Sequence, residues 1–339
     1  MFIYAGIDEA GYGPMFGPLV VGCAVLGVGG AESCEAASDK PPAMWSLLKS
    51  AVCREINDKR KRIAVNDSKK LKTSAAGIKH LETGVLAFAG AAPFGLQPRH
   101  VGDLLDRLGE SCHHELDAMP WYAASKEQPW DAIPAASTLG EIAIARSVYA
   151  RAAEKAGVQT LDMRAAVVFE DRFNRMVSAT RSKASTSFTF VASHLCSVWE
   201  RFGDKHPFVA VDRQSARTRY RELLSQCFPQ AKLTVLEETN QKSAYRIEQS
   251  AAATHPARCM TVTFEVDGDS GHMPIALASM ISKYTRELLM ARFNRWFGQR
   301  APQVAPTAGY ASDAKRFWKE IEPLLGELAI DEGCLRRMS

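Results

Sequence analysis

No apolar run in this 339-residue sequence approaches the roughly 20 residues that cross a bilayer as a helix. The opening residues, MFIYAGIDEAG, carry no basic region and reach acids by position 8, so they do not read as a secretory leader. The eight cysteines, Cys23, Cys34, Cys53, Cys112, Cys196, Cys227, Cys259 and Cys334, include no C-x-x-C pair, which argues against a zinc ribbon. Several lie in apolar runs, where a thiol packs as a small hydrophobe. Reduced cysteines point to a cytoplasmic protein. The phosphate-loop pattern G-x-x-x-x-G-K-[ST] is missing. GYGPMFG is a poor dinucleotide fingerprint, because Pro14 interrupts it and a second strand rather than a helix follows. There is no internal repeat and no low-complexity tail. Neither sign of charge dominates: 42 basic residues face 38 acidic ones, for a net charge of +4.

What is present is ordinary for a globular chain, with 46% apolar and 24% charged residues. A chain this long buries roughly three-quarters of its unfolded surface and needs neither disulfides nor metal to hold its core. Residues 2–7 read as a buried strand and 18–28 as a second, joined by the Gly/Pro turn. A polar loop is expected over 29–43, a helix over 44–56, and a turn from Asn66 leading into another helix. The apolar run 85–96 reads as a strand, 98–116 as a helix and 117–134 as a loop. Residues 137–157 form a clear amphipathic helix with a Ser/Thr start and Gly157 just past its end. Strands are expected over 164–171, 207–214, 232–238 and 259–269, and helices over 185–203, 217–228, 274–297 and 312–325, with a helix starting at 243–252. Strands alternating with helices give an α/β fold. The loose pattern at 86–134 marks an insertion or subdomain within a single unit spanning 1–339, and a helical segment begins at about 275.

The acids carry the chemistry. Asp8 follows YAGI directly, Asp212 ends FVAV in the same way, and Asp269 lies between a strand and a helix. A carboxylate at the edge of a core is costly unless it meets a cation or hydrogen-bond donors. Open α/β sheets gather ligands at strand ends, and clustered carboxylate oxygens suit Mg2+ or Mn2+. Acids after strands also serve as turn or N-cap residues, so position alone leaves both readings open. The Asp8–Glu9 pair is the most informative, because adjacent strand residues point to opposite faces.

Basic residues cluster at 58–62, 212–222 and 282–300, and 173–188 is basic and hydroxyl-rich, which reads as a second nucleic-acid contact or as a loop. Such clusters can neutralise phosphates or form solvated helix faces. In the 212–222 cluster, Arg213, Arg217, Arg219 and Arg221 are the candidates for backbone phosphates.

The stretch GIDEAGYGPMFGPLVVG closely resembles the first motif of the ribonuclease HII (type 2 ribonuclease H) family. NDSKKL at 66–71 looks like that family's D-S-K-x-L motif, and VAVDRQ like the strand carrying its third acid. GDSGHMPIALASMISKYTRE at 268–287 looks like its G-D segment and following helix, and TAGYASDAKRF at 307–317 like its G-Y-G segment. The order of all five is also that of the family. The resemblance covers the two ends well and little of 75–200.

The resemblance implies a ribonuclease H-like fold, a central mixed β-sheet flanked by helices. It implies four metal-binding catalytic carboxylates, Asp8, Glu9, Asp212 and Asp269, holding two Mg2+ or Mn2+ ions. The activity implied is endonucleolytic hydrolysis of RNA in an RNA–DNA hybrid or a ribonucleotide-containing DNA duplex, giving 5′-phosphate and 3′-hydroxyl ends. Gly11, Tyr12, Gly13, Ser68, Lys69, Lys70, Arg213, Lys283 and Tyr310 are the nucleic-acid contacts expected on this basis, in a monomer with no membrane association. The chain departs from the family at Tyr12, where the family's turn carries Arg or Lys, and at Arg213, where it carries Gly. Two other readings stay open: a nuclease of the same fold with another nucleic-acid substrate, and a non-catalytic nucleic-acid-binding protein.

Overall fold

The apolar run at the start of the chain becomes the strand around which the rest is arranged. In a computed structural model, which describes residues 1–29, 40–93, 95, 97–109, 113–116, 118–213, 217–252 and 256–338, this strand is β1, Phe2–Ala10. The remaining strands are β2 (Leu19–Val28), β3 (Val52–Cys53), β4 (Ile63–Ala64), β5 (Val158–Val168), β6 (Phe208–Asp212), β7 (Lys232–Glu238), β8 (Lys242–Gln249) and β9 (Arg258–Glu265). The helices are α1 (Met44–Leu47), α2 (Ser68–Leu71), α3 (Lys79–Ala91), α4 (Val101–Leu108), α5 (His113–Leu116), α6 (Leu139–Ala156) and α7 (Glu170–Thr180). They continue with α8 (Lys183–Phe202), α9 (Arg221–Cys227), α10 (Gly268–Gly271), α11 (Met273–Arg300), α12 (Ala311–Ile321) and α13 (Glu332–Leu335).

Seven strands form one sheet in the order β5-β2-β1-β6-β9-β8-β7, and β3 pairs with β4 apart from it. β1, β6 and β9 run parallel, and the flanking pairs are antiparallel. Helices cover both faces, so this is an α/β fold with a central mixed sheet. Alternation along β1 feeds two cores. Ile3, Ala5 and Ile7 pack with α8, whereas Tyr4 packs with α3 and α11.

Helix α11 lies unusually close to the sheet. A Cβ on Gly6 would sit 2.1 Å from the Ile275 nitrogen, and one on Gly22 would sit 2.4 Å from the Ala278 carbonyl oxygen. Glycine at these two strand positions lets the helix backbone touch the sheet. The far end of α11 meets Trp121 and Tyr122, which pack on Phe293, while Trp121 also packs on Trp296.

Several expected elements differ. The run 85–96 is not a strand; its described part lies largely in α3. A short apolar run has no periodicity of its own, and burial between α6 and α11 makes it helical. Residues 243–252 do not start a helix; Lys242–Gln249 is β8, held by ladders on both sides. Its buried Tyr245 and Ile247 alternate with polar residues, a period of two that the surrounding polarity disguises. The helix expected over 44–56 is one turn followed by β3. The strand expected at 164–171 begins at Val158 and ends before Glu170 and Asp171, which open α7. The 173–188 stretch forms the end of α7, a left-handed joint at Arg181 and the start of α8, rather than a loop. Much of the expected 29–43 loop, at 30–39, lies outside the described residues, as do Cys34, Cys112 and residues 214–216.

Candidate active site

Parallel pairing brings the acids together. Ile7 in β1 lies opposite Val211 in β6, so the next residues, Asp8 and Asp212, come side by side where that parallel ladder ends, with Asp8 still in β1 opposite Gly22 of β2. Asp212 is itself opposite Glu265 in β9. The chain then turns at Asp267, whose φ of 52° is left-handed, into α10, which carries Asp269. Asp8 follows Tyr4 and Gly6 on the α11 side, and Glu9 takes the opposite side of the strand.

These four carboxylates line a single cleft of about 780 Å3. Gly11, Tyr12 and Gly13 line it from the turn after β1, and Ser68, Lys69 and Lys70 from α2. Lys283 of α11 and Tyr310, which precedes α12, complete the set. Every nucleic-acid contact expected from the resemblance is on this wall except Arg213, and the other candidate arginines, Arg217, Arg219 and Arg221, do not line it either. The Arg213 guanidinium donates to the carbonyls of Arg217, Asn240 and Thr239, tying a loop instead of facing the cleft.

Burial pushes the Asp8 carboxyl well above the usual range, and the charges of Glu9 and Asp212 push it further. The Ser279 hydroxyl and the Glu9 amide, 2.7 Å from Asp8 Oδ1, oppose the shift. Burial raises Asp212 to about 6, aided by Asp269 and Asp267 and opposed by the Gly268 amide (3.0 Å) and Lys69. Asp269 is raised by burial and then by Asp67, with Lys70 opposing. Negative charge is thus crowded into a partly dry site.

The lysines differ in their freedom. Lys69 and Lys70 are exposed on a turn capped by Asp67, whose carboxylate accepts from the Lys69 amide at 2.9 Å. Lys283 pairs with Glu287 at 2.9 Å, and Lys72 pairs with the same carboxylate at 2.6 Å. Ser68 is buried and accepts a hydrogen bond from Ser279 at 3.0 Å, so its hydroxyl belongs to the Ser279–Asp8 network. Tyr310 is 39% exposed and lies beneath the Lys283 ammonium and the Arg286 guanidinium, 5.8 and 5.0 Å from its ring centre. Tyr12 is half-buried, with its phenol raised by burial and then by Glu9, against which Arg217 acts.

The sequence reading did not single out Asp67, Asp267, Ser270 or Ser279 as site residues, yet all four line the cleft. Asp67 carried a signal, as an Asp before Ser-Lys-Lys is a helix cap. Ser279 is one helical turn before Lys283 and so shares its face. His272, three residues after Asp269, does not line the cleft. Its Nδ1 meets the Tyr4 hydroxyl and its Nε2 lies 3.0 Å from Glu265.

The donor set has the chemistry of a site for a hard divalent cation: carboxylate oxygens whose mutual repulsion a cation would relieve. Among the described residues, no group of three or more His, Cys, Asp or Glu side chains is placed closely enough to hold a metal ion as it stands. No helix among the described residues is long and apolar enough to cross a membrane.

No protein-family model and no curated protein matches the chain. Among solved structures, it is similar to ribonucleases HII and HIII. A chain of the PCNA:RNase HII complex from Archaeoglobus fulgidus aligns at 15% identity and a TM-score of 0.41, covering 99% of this chain and 94% of that one. Ribonuclease H2 from Pyrococcus horikoshii OT3 aligns at 14% identity and a TM-score of 0.38, covering 98% and 92%. Bst-RNase HIII in complex with Mn2+ aligns at 14% identity and a TM-score of 0.42, covering 99% of this chain and 66% of that one. No activity follows from likenesses of this degree, and the functional reading rests on the cleft.

Proposed function

We propose that the chain is a metal-dependent endonuclease that hydrolyses the RNA strand of RNA–DNA duplexes, a type 2 ribonuclease H. One observation carries this reading: five segments far apart in the sequence, each resembling a ribonuclease HII motif, line one cleft. A binding module would gain nothing from crowding carboxylates beside phosphates.

Asp8, Glu9, Asp212 and Asp269 would hold two Mg2+ or Mn2+ ions. Bound there, the cations would supply an activated water and charge stabilisation for the leaving 3′-oxygen of an in-line displacement. The chain's own residues do the rest. Lys69 and Lys70, exposed at the rim, attract the phosphate backbone as point charges. Lys283, on the cleft wall and paired with Glu287, adds a third cation. The Gly11–Gly13 backbone approaches a ribose 2′-hydroxyl, and Tyr310 offers a stacking face at the same end of the cleft. Asp8→Asn and Asp212→Asn are expected to abolish cutting while leaving the fold intact. Wild-type rates in both variants would refute the assignment.

A second reading, cutting of structured DNA, is favoured by Tyr12. This residue puts an aromatic ring beside Arg217 where the family carries a cation. Faster cutting of all-DNA substrates than of hybrids would select it.

A further inference from the structure

We propose that segment 332–338 is part of the substrate-reading site, with Arg337 as the positioning residue that fixes the Gly11–Gly13 turn. The inference rests on the ribonucleotide-reading role proposed above for that turn. The turn has to be held by something outside itself. Gly11 and Gly17 take φ values of 86° and 89°, and a Cβ on either would fall within 2.8 Å of an Arg286 nitrogen. Its polar groups are met by distant parts of the chain. Arg286 donates to Phe16 O at 2.9 Å, Gly309 O accepts from the Met15 amide at 2.8 Å, and Glu170 accepts from the Gly17 amide at 2.9 Å.

Arg337 holds the part that faces the cleft. Its Nη2 donates to both Gly11 O and Pro14 O, the carbonyls that bracket Tyr12 and Gly13. Its own amide donates to Met15 O at 2.9 Å. The side chain is 2% exposed, and its guanidinium lies 4.6 Å from the Phe173 ring centre. Burial pulls the Arg337 guanidinium down to about 10, and the charge of Glu170 opposes that shift. The arginine is anchored from a different side. Asn174 of α7 donates to Gly333 O and Arg336 O, both at 2.8 Å, and accepts from the Met338 amide at 2.7 Å. Leu335 is fully buried beside it. Arg337 therefore joins the α7 surface to the cleft wall, with both carbonyls held by the one nitrogen Nη2.

The test compares Arg337→Met, Arg337→Lys and the surface variant Asn174→Ala. The readouts are amide exchange over residues 11–17, Mn2+ affinity by calorimetry, and kcat and KM on a duplex with one embedded ribonucleotide. Arg337→Met is expected to speed exchange in the turn by about tenfold or more, as loss of charge-assisted hydrogen bonds implies. It is expected to lower kcat/KM by about a hundredfold through misplacement of the reading groups. Mn2+ affinity should stay within about twofold, because removing Arg337 deletes no carboxylate. Arg337→Lys should recover part of the loss, and Asn174→Ala should move exchange and kcat/KM in the same direction by less. Unchanged exchange over 11–17 in folded Arg337→Met, or unchanged kcat/KM despite faster exchange, overturns the inference. If Arg337→Met does not fold, the same readouts on Asn174→Ala decide. If the wild-type protein cuts no RNA-containing duplex, the proposed function falls, and the exchange data alone decide whether Arg337 holds the turn.

Discussion

Replacing Asp212 with Asn should make the metal-free protein more stable while removing its activity. The Asp212 carboxyl ordinarily titrates at 3.8 and is raised to about 6, chiefly by burial. The folded state therefore binds its proton more tightly than the unfolded state does, and stability falls as pH rises from about 4 to about 6. Above that window the ionised group costs about 3 kcal/mol, at 1.36 kcal/mol per unit. Asparagine keeps an oxygen for the Gly268 amide, 3.0 Å away, and carries no charge. It also removes one of the charges that act on Asp8. For a chain of this length, about 3 kcal/mol corresponds to a rise of about 4 °C in Tm. The assay is thermal unfolding in chelator at pH 7.5 and pH 4. Asp212→Asn should melt higher at pH 7.5, and the two proteins should melt together at pH 4. A lower Tm for the variant at pH 7.5, or an equal difference at both pH values, refutes the reasoning. Millimolar Mg2+ should raise the wild-type Tm and leave the variant nearly unmoved, because ligand binding to the folded state alone is stabilising.

Other outcomes follow from the same geometry. Gly6→Ala places a methyl 2.1 Å from the α11 backbone and should cost about 3 kcal/mol or more in urea unfolding, since backbone cannot yield as a side chain does. Arg292 is fully buried and donates to the carbonyls of Tyr122, Ala123, Gln128 and Pro129 and to Asp131. Arg292→Met should therefore lower stability by about 3 kcal/mol or more, measured the same way, by leaving these buried carbonyls without their donor and Asp131 with Arg295 alone. Lys69→Ala should weaken duplex binding about equally across sequences and reduce the slope of log K against log salt by about one, measured by titration at several salt concentrations.

Asp8 and Asp212 stood out because each directly follows an apolar run. Parallel pairing of β1 with β6 makes these two residues neighbours, although β1 runs on past Asp8 to Ala10. Helix α3 and strand β8 were not legible. Their conformations are set by what packs against them, since the run in α3 is buried by other helices and β8 is held by ladders to β7 and β9. Arg213 looked like a phosphate ligand by proximity to Asp212, but loop carbonyls at 217, 239 and 240 needed a donor. The roles of Arg286, Glu170 and Arg337 could not be read locally either. Each satisfies polar groups of a turn more than 100 residues away, and such long-range pairing leaves no mark in spacing.

The central claim is that this cleft cuts RNA within a duplex. It is tested most directly by incubating the protein with Mg2+ or Mn2+ and three labelled duplexes: an RNA–DNA hybrid, DNA with one embedded ribonucleotide, and all-DNA. The account predicts cutting of an RNA-containing duplex to 5′-phosphate and 3′-hydroxyl ends, no cutting of all-DNA, and loss of all cutting in Asp8→Asn. Intact RNA-containing duplexes with either metal, or cutting that survives in Asp8→Asn, would contradict it.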